Sequence, residues 1–340
     1  MSCVLAADIG NTTSRFGLLM VAEKAEPELI ASCEVTTRQP LTADEARMQL
    51  GQILSELRGE RGTDLARGTH ATSANAASAP DASGAGSRAD GDAALAGSIL
   101  SCVVPTLTDV WHRALDTAVP GRQLVVGPGL RSGMKLRFND PSEVGPDRIA
   151  DAVAARSTYG APAVVIDLGT TTNFEAIDAS GAFCGGIIAP GVAIGARALT
   201  EAAARLPIIE LRTPDHALGR STREAMQSGV VLGEAARIDG LLDIVLEELG
   251  CSGTSSAPAA VPAPATGSVH ASGPAPTPGP APATGPVLAP GQEAGAPEGA
   301  PIIMTGENAA AIAALLRHGT IVDDTLTLRG LARIWQANQR

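Results

Sequence analysis

At 340 residues the chain is long enough for two domains, and its apolar fraction of 44% is that of a globular protein. Aromatic residues make up only 2%, so a core has to be built from Ala, Val, Leu and Ile. A net charge of −11 with no Lys/Arg-rich block excludes the basic footprint of a nucleic-acid binder, but not a phosphorylated ligand held by a few local groups.

The five cysteines (Cys3, Cys33, Cys102, Cys184 and Cys251) are scattered and never in Cys-x-x-Cys spacing, which argues against a disulfide framework or a zinc site and fits a reducing cytosol. The N-terminal apolar run is broken at Asp8 and has no basic leader, so no signal peptide is expected. No uncharged apolar run approaches the ~18 residues of a membrane span. A cytoplasmic protein without membrane or nucleic-acid partners is expected.

In chain order, a strand over Cys3 to Ala7 meets a turn at Asp8, and Arg15 to Val21 returns as a hairpin arm. Leu29 to Thr36 extends that sheet. Thr42-x-x-Glu45 is a capping box, and Ala46, Leu50, Ile53, Leu54 and Leu57 form one helical stripe ending near Gly59. Residues 68–92 hold almost nothing to bury and read as a disordered insertion. Ser98 to Val104 is a strand closed by Pro105, a helix covers Leu107 to Thr117, and Gln123 to Val126 is a short strand.

Residues 127–146 have the glycine and proline content of a functional loop. Pro146 suits a first helical position, with Gly160 as the C-terminal cap. Val164 to Asp167 and Phe174 to Asp178 form a second hairpin. A helix runs from about Gly195 to Arg205, and Ser221-x-x-Glu224 opens a long helical region to Gly250. Residues 252–298 are Pro, Ala, Gly and Thr, the composition of a flexible loop. Ile302 to Thr305 is a last strand, Asn308 to Arg317 a helix, and Leu326 to Ala337 a closing helix or docking segment. The halves are expected to divide at 1–145 and 146–340. Trp111 and Trp335 read as packing anchors, and His112 and His318 as helix-surface residues; no histidine is assigned to a metal or to catalysis.

Asp8-x-Gly10-x-Thr12-Thr13 recurs as Asp167-x-Gly169-x-Thr171-Thr172. Each motif ends an apolar run short enough to be a buried strand, and the glycine allows a tight turn. A carboxylate followed by amides and hydroxyls at a strand end suits a metal-bound phosphate. Ordinary strand-to-turn junctions would look alike singly, but the repetition argues for two phosphate sites facing a cleft. No Gly-x-x-x-x-Gly-Lys-Ser/Thr and no strand-following Gly-x-Gly-x-x-Gly is present. Gly185-Gly186-x-x-x-Pro190-Gly191 fits close approach of a base or ribose, though a plain tight turn explains it better. In Gly145-Pro146-Asp147-Arg148, the acid sits in a helix's first turn and the arginine offers a planar fork for a carboxylate or phosphate. A plain first-turn acid beside a surface arginine fits the same four residues.

Together these stretches resemble the type III pantothenate kinases of the actin-like ATPase and sugar-kinase superfamily. The resemblance rests on Asp8-Ile-Gly-Asn-Thr, Ser101-Cys-Val-Val-Pro105, Asn139 to Arg148, Asp167-Leu-Gly-Thr170, Gly185 to Gly191, Leu206-Pro207, Gly219-Arg-Ser-Thr222, Met226-Gln-Ser-Gly229 and Leu326 to Leu331. It implies an α/β fold of two ribonuclease-H-like (actin-like ATPase) halves around a nucleotide cleft. It also implies phosphorylation of the primary alcohol of pantothenate by ATP with Mg²⁺, the first step towards coenzyme A, in a homodimer. By resemblance Asp147 is the general base, and Phe138, Gly145, Pro146, Asp147, Arg148 and Thr222 bind pantothenate. The same resemblance gives ATP to Asp8, Ile9, Gly10, Asn11, Thr12, Thr13, Ser14, Arg15 and Thr170, and a monovalent cation, K⁺ or NH₄⁺, to Asp167.

This chain departs from the family pattern at Thr13, Thr171, Asn173, Glu175, Ala203, Ala204 and Glu307, and carries Phe138 where many members have Tyr. Those departures and the two long insertions leave a non-catalytic regulatory relative of the same fold as the alternative.

Overall fold

The computed structural model describes residues 1–23, 25–67, 95–251 and 299–339. The expectations for 68–92 and 252–298 lie outside the described residues.

Strand β1 (Ser2–Ile9) is buried along most of its length because its apolar run has neighbours on both edges and both faces. It pairs antiparallel with β2 (Thr13–Val21), and β2 pairs antiparallel with β3 (Glu28–Thr36). Helix α1 (Ala43–Arg67) follows a true capping box, in which Thr42 N–H donates to Glu45 Oε2 at 2.8 Å and Glu45 N–H to Thr42 Oγ1 at 3.3 Å. It runs past Gly59 because no proline follows and an isolated helical glycine costs only ~1 kcal/mol against alanine. Parallel strands β4 (Leu95–Cys102) and β5 (Arg122–Val125), separated by α2 (Pro105–Ala118), complete a sheet of order β3-β2-β1-β4-β5.

The second half repeats this plan after α3 (Pro146–Tyr159). Strands β6 (Ala163–Leu168), β7 (Thr171–Ile177) and β8 (Phe183–Pro190) form an antiparallel meander. Helices α4 (Val192–Ala202), α5 (Thr222–Gln227) and α6 (Gly233–Glu248) come next, with a π-helical stretch, Ser228–Leu232, between the last two. Strand β9 (Ile302–Gly306), helix α7 (Ala309–Ala313) and a two-residue strand β10 (Ile321–Val322) complete the sheet, and α8 (Leu326–Ala337) closes the chain. The second sheet reads β8-β7-β6-β9-β10, with β9 and β10 parallel to β6, so the two sheets share one topology. This is the expected α/β fold of two ribonuclease-H-like, actin-like halves.

Several details differ from the sequence reading. Gly185 and Gly186 lie within β8 rather than in a tight turn, and at Gly186 the Arg148 guanidinium and the Phe174 carbonyl occupy the space a side chain would take. Ile302 to Thr305 is followed by β10. Helix α7 stops at Ala313, and beyond it the N–H groups of Arg317 and His318 turn to the Asp239 carboxylate instead of continuing a helix. His318 is therefore clamped, with Nδ1 2.8 Å from Asp239 and Nε2 3.1 Å from Asp243, rather than lying on a helix surface.

Helices α3 and α8 lie between the sheets. Helix α8 packs on β1, β2 and β4 of the first sheet, α3 on β6 and β7 of the second, and the two helices on each other. Gly330 makes that crossing possible, since a Cβ there would collide with the Ala150 carbonyl. Trp335 of α8 and Trp111 of α2 are buried anchors. Helices α1 and α2 cover the outer face of the first sheet, and α6 and α7 that of the second.

Candidate active site

The two Asp-x-Gly turns stand at corresponding ends of the two central strands. In the first, Gly10 N–H donates to the Thr13 carbonyl at 3.0 Å; in the second, Gly169 N–H donates to the Thr171 carbonyl at 3.0 Å. Their tips meet across the cleft, with Thr12 Oγ1 and Thr170 Oγ1 3.1 Å apart. Helix α3 starts between them. One cavity is lined by Asp8, Thr12, Arg15, Asp147, Asp167 and Thr170, together with Gly10, Asn11 and Thr13. Residues 158 positions apart thus converge because each half places its turn at the same point of the same topology.

The cavity is strongly acidic. Burial, and then the charge of Asp147, pushes the Asp8 carboxyl up to about 7. The same two causes, in the same order, hold Asp167 at about 7. Burial also raises Asp147, opposed by the backbone N–H and the charge of Arg148. Arg15 faces Asp8 across β1 and β2 and bonds Glu34 Oε2 through Nε at 3.0 Å.

Hard cations take oxygen ligands, and buried oxygens here await partners. Asp8 Oδ1, Asn173 Oδ1 and Thr305 Oγ1 accept or share no hydrogen bond among the described residues, and Asn173 and Thr305 both stand opposite Asp167 in the sheet. No three His, Cys, Asp or Glu side chains among the described residues converge on one point. The free Asp8 carboxylate oxygen fits Mg²⁺, which keeps several waters and binds through one or two carboxylates plus phosphates.

Not every expected residue reaches the cavity. Ile9 is core, and Ser14 is buried with its hydroxyl 2.8 Å from Thr37 Oγ1, so only their backbones are available. Pro146 lines a neighbouring cavity of about 650 Å³, together with Val126, Gly127, Leu136, Val144 and Ile149. Phe138 packs edge-on against Phe183, centroids 4.9 Å apart. Gly145 caps α3. Arg148 turns inward to Glu175 rather than outward as a surface fork, with Nε 2.9 Å from Oε1. Thr222 is exposed at the start of α5 and lines neither cavity.

The cavity also takes in Glu34, Arg197, Glu307 and Thr327, among others given no site role from the sequence. Glu34 and Arg197 belong to no motif, so only the pairing of the halves shows them, whereas Thr327 lies inside the Leu326 to Leu331 motif and Glu307 at a departure from the family pattern. Glu175 had a signal: a carboxylate inside an apolar strand needs a cation, and Arg148 is that cation.

The model of the type III pantothenate kinase family matches residues 61–243. The type III pantothenate kinase of Moorella thermoacetica is 35% identical over 247 residues, covering 73% of this chain and 83% of that protein. That of Agathobacter rectalis is 34% identical, covering 73% and 81%. A shorter match to the Shouchella clausii protein reaches 45% identity over 45% of this chain and 59% of that one. With relatives above 30% identity covered over more than two thirds of their length, and both turns in place in the fold, the chain belongs to the type III pantothenate kinases.

Proposed function

We infer that the protein transfers the γ-phosphoryl group of ATP to the primary hydroxyl of pantothenate, giving 4'-phosphopantothenate and ADP on the way to coenzyme A. The observation that carries this reading is the convergence of Asp8, Asp147 and Asp167 on one cleft between matching turns.

The roles follow from chemistry. Phosphoryl transfer passes through a loose transition state, so positioning and charge neutralisation do most of the work. Amides and hydroxyls of 8–15 and Thr170 hold the phosphates, with Arg15 as the cation among them. Asp147 orients the substrate hydroxyl and takes its proton as the oxygen–phosphorus bond forms and the bond to ADP breaks. Its raised pKa suits a group that must end the step protonated. Asp8 holds Mg²⁺, which offsets phosphate charge when bound. Asp167, with Asn173 and Thr305 opposite it, holds K⁺ or NH₄⁺.

Pantothenate lies along Gly145, Pro146 and Asp147, with Phe138 as a wall, and Arg148 backs that face from its buried pair with Glu175. Thr222 lies outside its own cleft, and Ile188, Ile208 and Leu218 are exposed in the same half. These fit a homodimer in which Thr222 approaches the partner's substrate. We place the division of the halves at 1–145 and 146–340, and the protein in the cytoplasm.

ADP release with ATP, Mg²⁺ and K⁺ tests the reading. Release should require pantothenate and fall about 10²–10⁴-fold in Asp147→Asn. Pantothenate-independent release, or an active Asp147→Asn, would overturn it.

A further inference from the structure

Arg148 and Glu175 form a buried pair that the roles above leave unexplained. The Arg148 guanidinium is locked on three sides. Nε donates to Glu175 Oε1 at 2.9 Å, Nη2 donates to the Phe174 carbonyl at 3.0 Å, and the guanidinium carbon stands 5.6 Å from the centre of the Phe183 ring. Arg148 is 9% exposed and Glu175 fully buried.

Two glycines make this arrangement possible. Gly186 is paired with Glu175 across β7 and β8, and a Cβ on it would run into both the Arg148 guanidinium and the Phe174 carbonyl. Gly145 plays the same part for Asp147, because a Cβ there would strike Asp147 Oδ1. That Oδ1 accepts the backbone N–H of Arg148 at 2.8 Å. The carboxylate of the base is thus tied to the backbone of the residue whose side chain is locked.

The same anchor reaches the substrate wall. Phe183 N–H donates to the Lys135 carbonyl and Arg137 N–H to the Phe183 carbonyl, both at 2.9 Å, and Phe138 stacks edge-on against Phe183. A buried ion pair is weak as a source of stability, since an apolar pair of similar volume is often as good. Its geometry accounts for it better.

We propose that Glu175 is a positioning residue for the phosphoryl-transfer step, fixing Asp147 through Arg148 in a slot that only glycine at 186 leaves open. The proposal rests on Asp147 being the base, and the test separates the two.

Four variants are assayed for ADP release, with thermal unfolding and ATP binding as checks of folding. Glu175→Gln keeps the shape and removes the charge that holds Arg148. It should lower kcat about a hundredfold, the cost of a misplaced group near 1 Å, with the KM for ATP unchanged within about twofold. Glu175→Asp keeps the charge and should restore kcat to within about fivefold of wild type. Gly186→Ala should match Glu175→Gln by displacing the guanidinium directly. A folded Glu175→Gln or Gly186→Ala with near-wild-type kcat would overturn the proposal, as would Glu175→Asp no better than Glu175→Gln. Active Asp147→Asn would instead overturn the assignment of the base, whatever the other three do.

Discussion

The two Asp-x-Gly turns share a fold and differ in what stands beside the carboxylate. In the first, Ile9 pairs with Ser14, leaving a four-residue turn; in the second, Leu168 pairs with Thr172, leaving three. The extra residue shifts the register on the returning strand. Asp8 consequently faces Arg15, while Asp167 faces Asn173. Across the strands Asp8 has a guanidinium opposite it and Asp167 has neutral oxygens, although the charge of Arg15 reaches both carboxylates. The first is suited to charged phosphates and the second to a lone cation. Under the proposed roles, a one-residue difference in a duplicated turn is what would divide the work between the halves.

The largest test of that division compares Asp8→Asn with Asp167→Asn. Asp8→Asn should lower kcat about 10²–10³-fold at saturating Mg²⁺ and K⁺, the scale of losing one electrostatic stabiliser. Asp167→Asn should instead abolish the preference for K⁺ over Na⁺, measured as ADP release across a titration of each salt. Equal loss of K⁺ preference in both variants would erase the distinction.

Arg15 and Asn173 occupy corresponding places, so they come next. Arg15→Ala should raise the KM for ATP about tenfold, equivalent to ~1.4 kcal/mol, and Asn173→Ala should leave it within about twofold. Steady-state kinetics against ATP decides this; matching effects would mean that the second turn holds phosphate as well.

Both turns should alike limit stability without ligand. Asp8 and Asp167 stand at about 7 in the fold, above their ordinary values. The folded state therefore binds more protons than the unfolded state between pH ~4 and ~7, so stability is greatest at the acid end of that window and falls as pH rises through it. Asp8→Asn and Asp167→Asn should each raise the Tm of ligand-free protein at pH 8, by on the order of 1–3 kcal/mol of stability. A Tm rising with pH across the window would contradict the buried, strained carboxylates.

The smallest effect concerns the Thr12–Thr170 contact. Its removal in Thr12→Ala loses at most about 0.5–1.5 kcal/mol, and the contact is exposed, so the KM for ATP should move by no more than about threefold.

Much of this was legible in the chain itself. Short apolar runs ending in Asp-x-Gly fix two strands and two turns because a buried strand must be apolar and must stop where the polar residues begin. Leu326 to Ala337 is a helix with the expected bounds, since its stripe of Leu, Ile and Trp can be buried only at helical spacing. The sequence by itself therefore determined most of the elements, the duplication and the family.

Only the tertiary structure decided what the charges do. Arg148 reads as a surface fork until α3 is packed between two sheets, which turns its side chain towards Glu175. Gly185-Gly186 reads as a turn until β8 is paired and a guanidinium fills the missing side chain's place. Asp8, Asp147 and Asp167 read as candidate site acids, but only the fold shows that burial in one shared cleft raises all three. Local spacing sets which residues can be buried. The energy of a buried charge depends on neighbours brought in from far along the chain, and no local pattern records them.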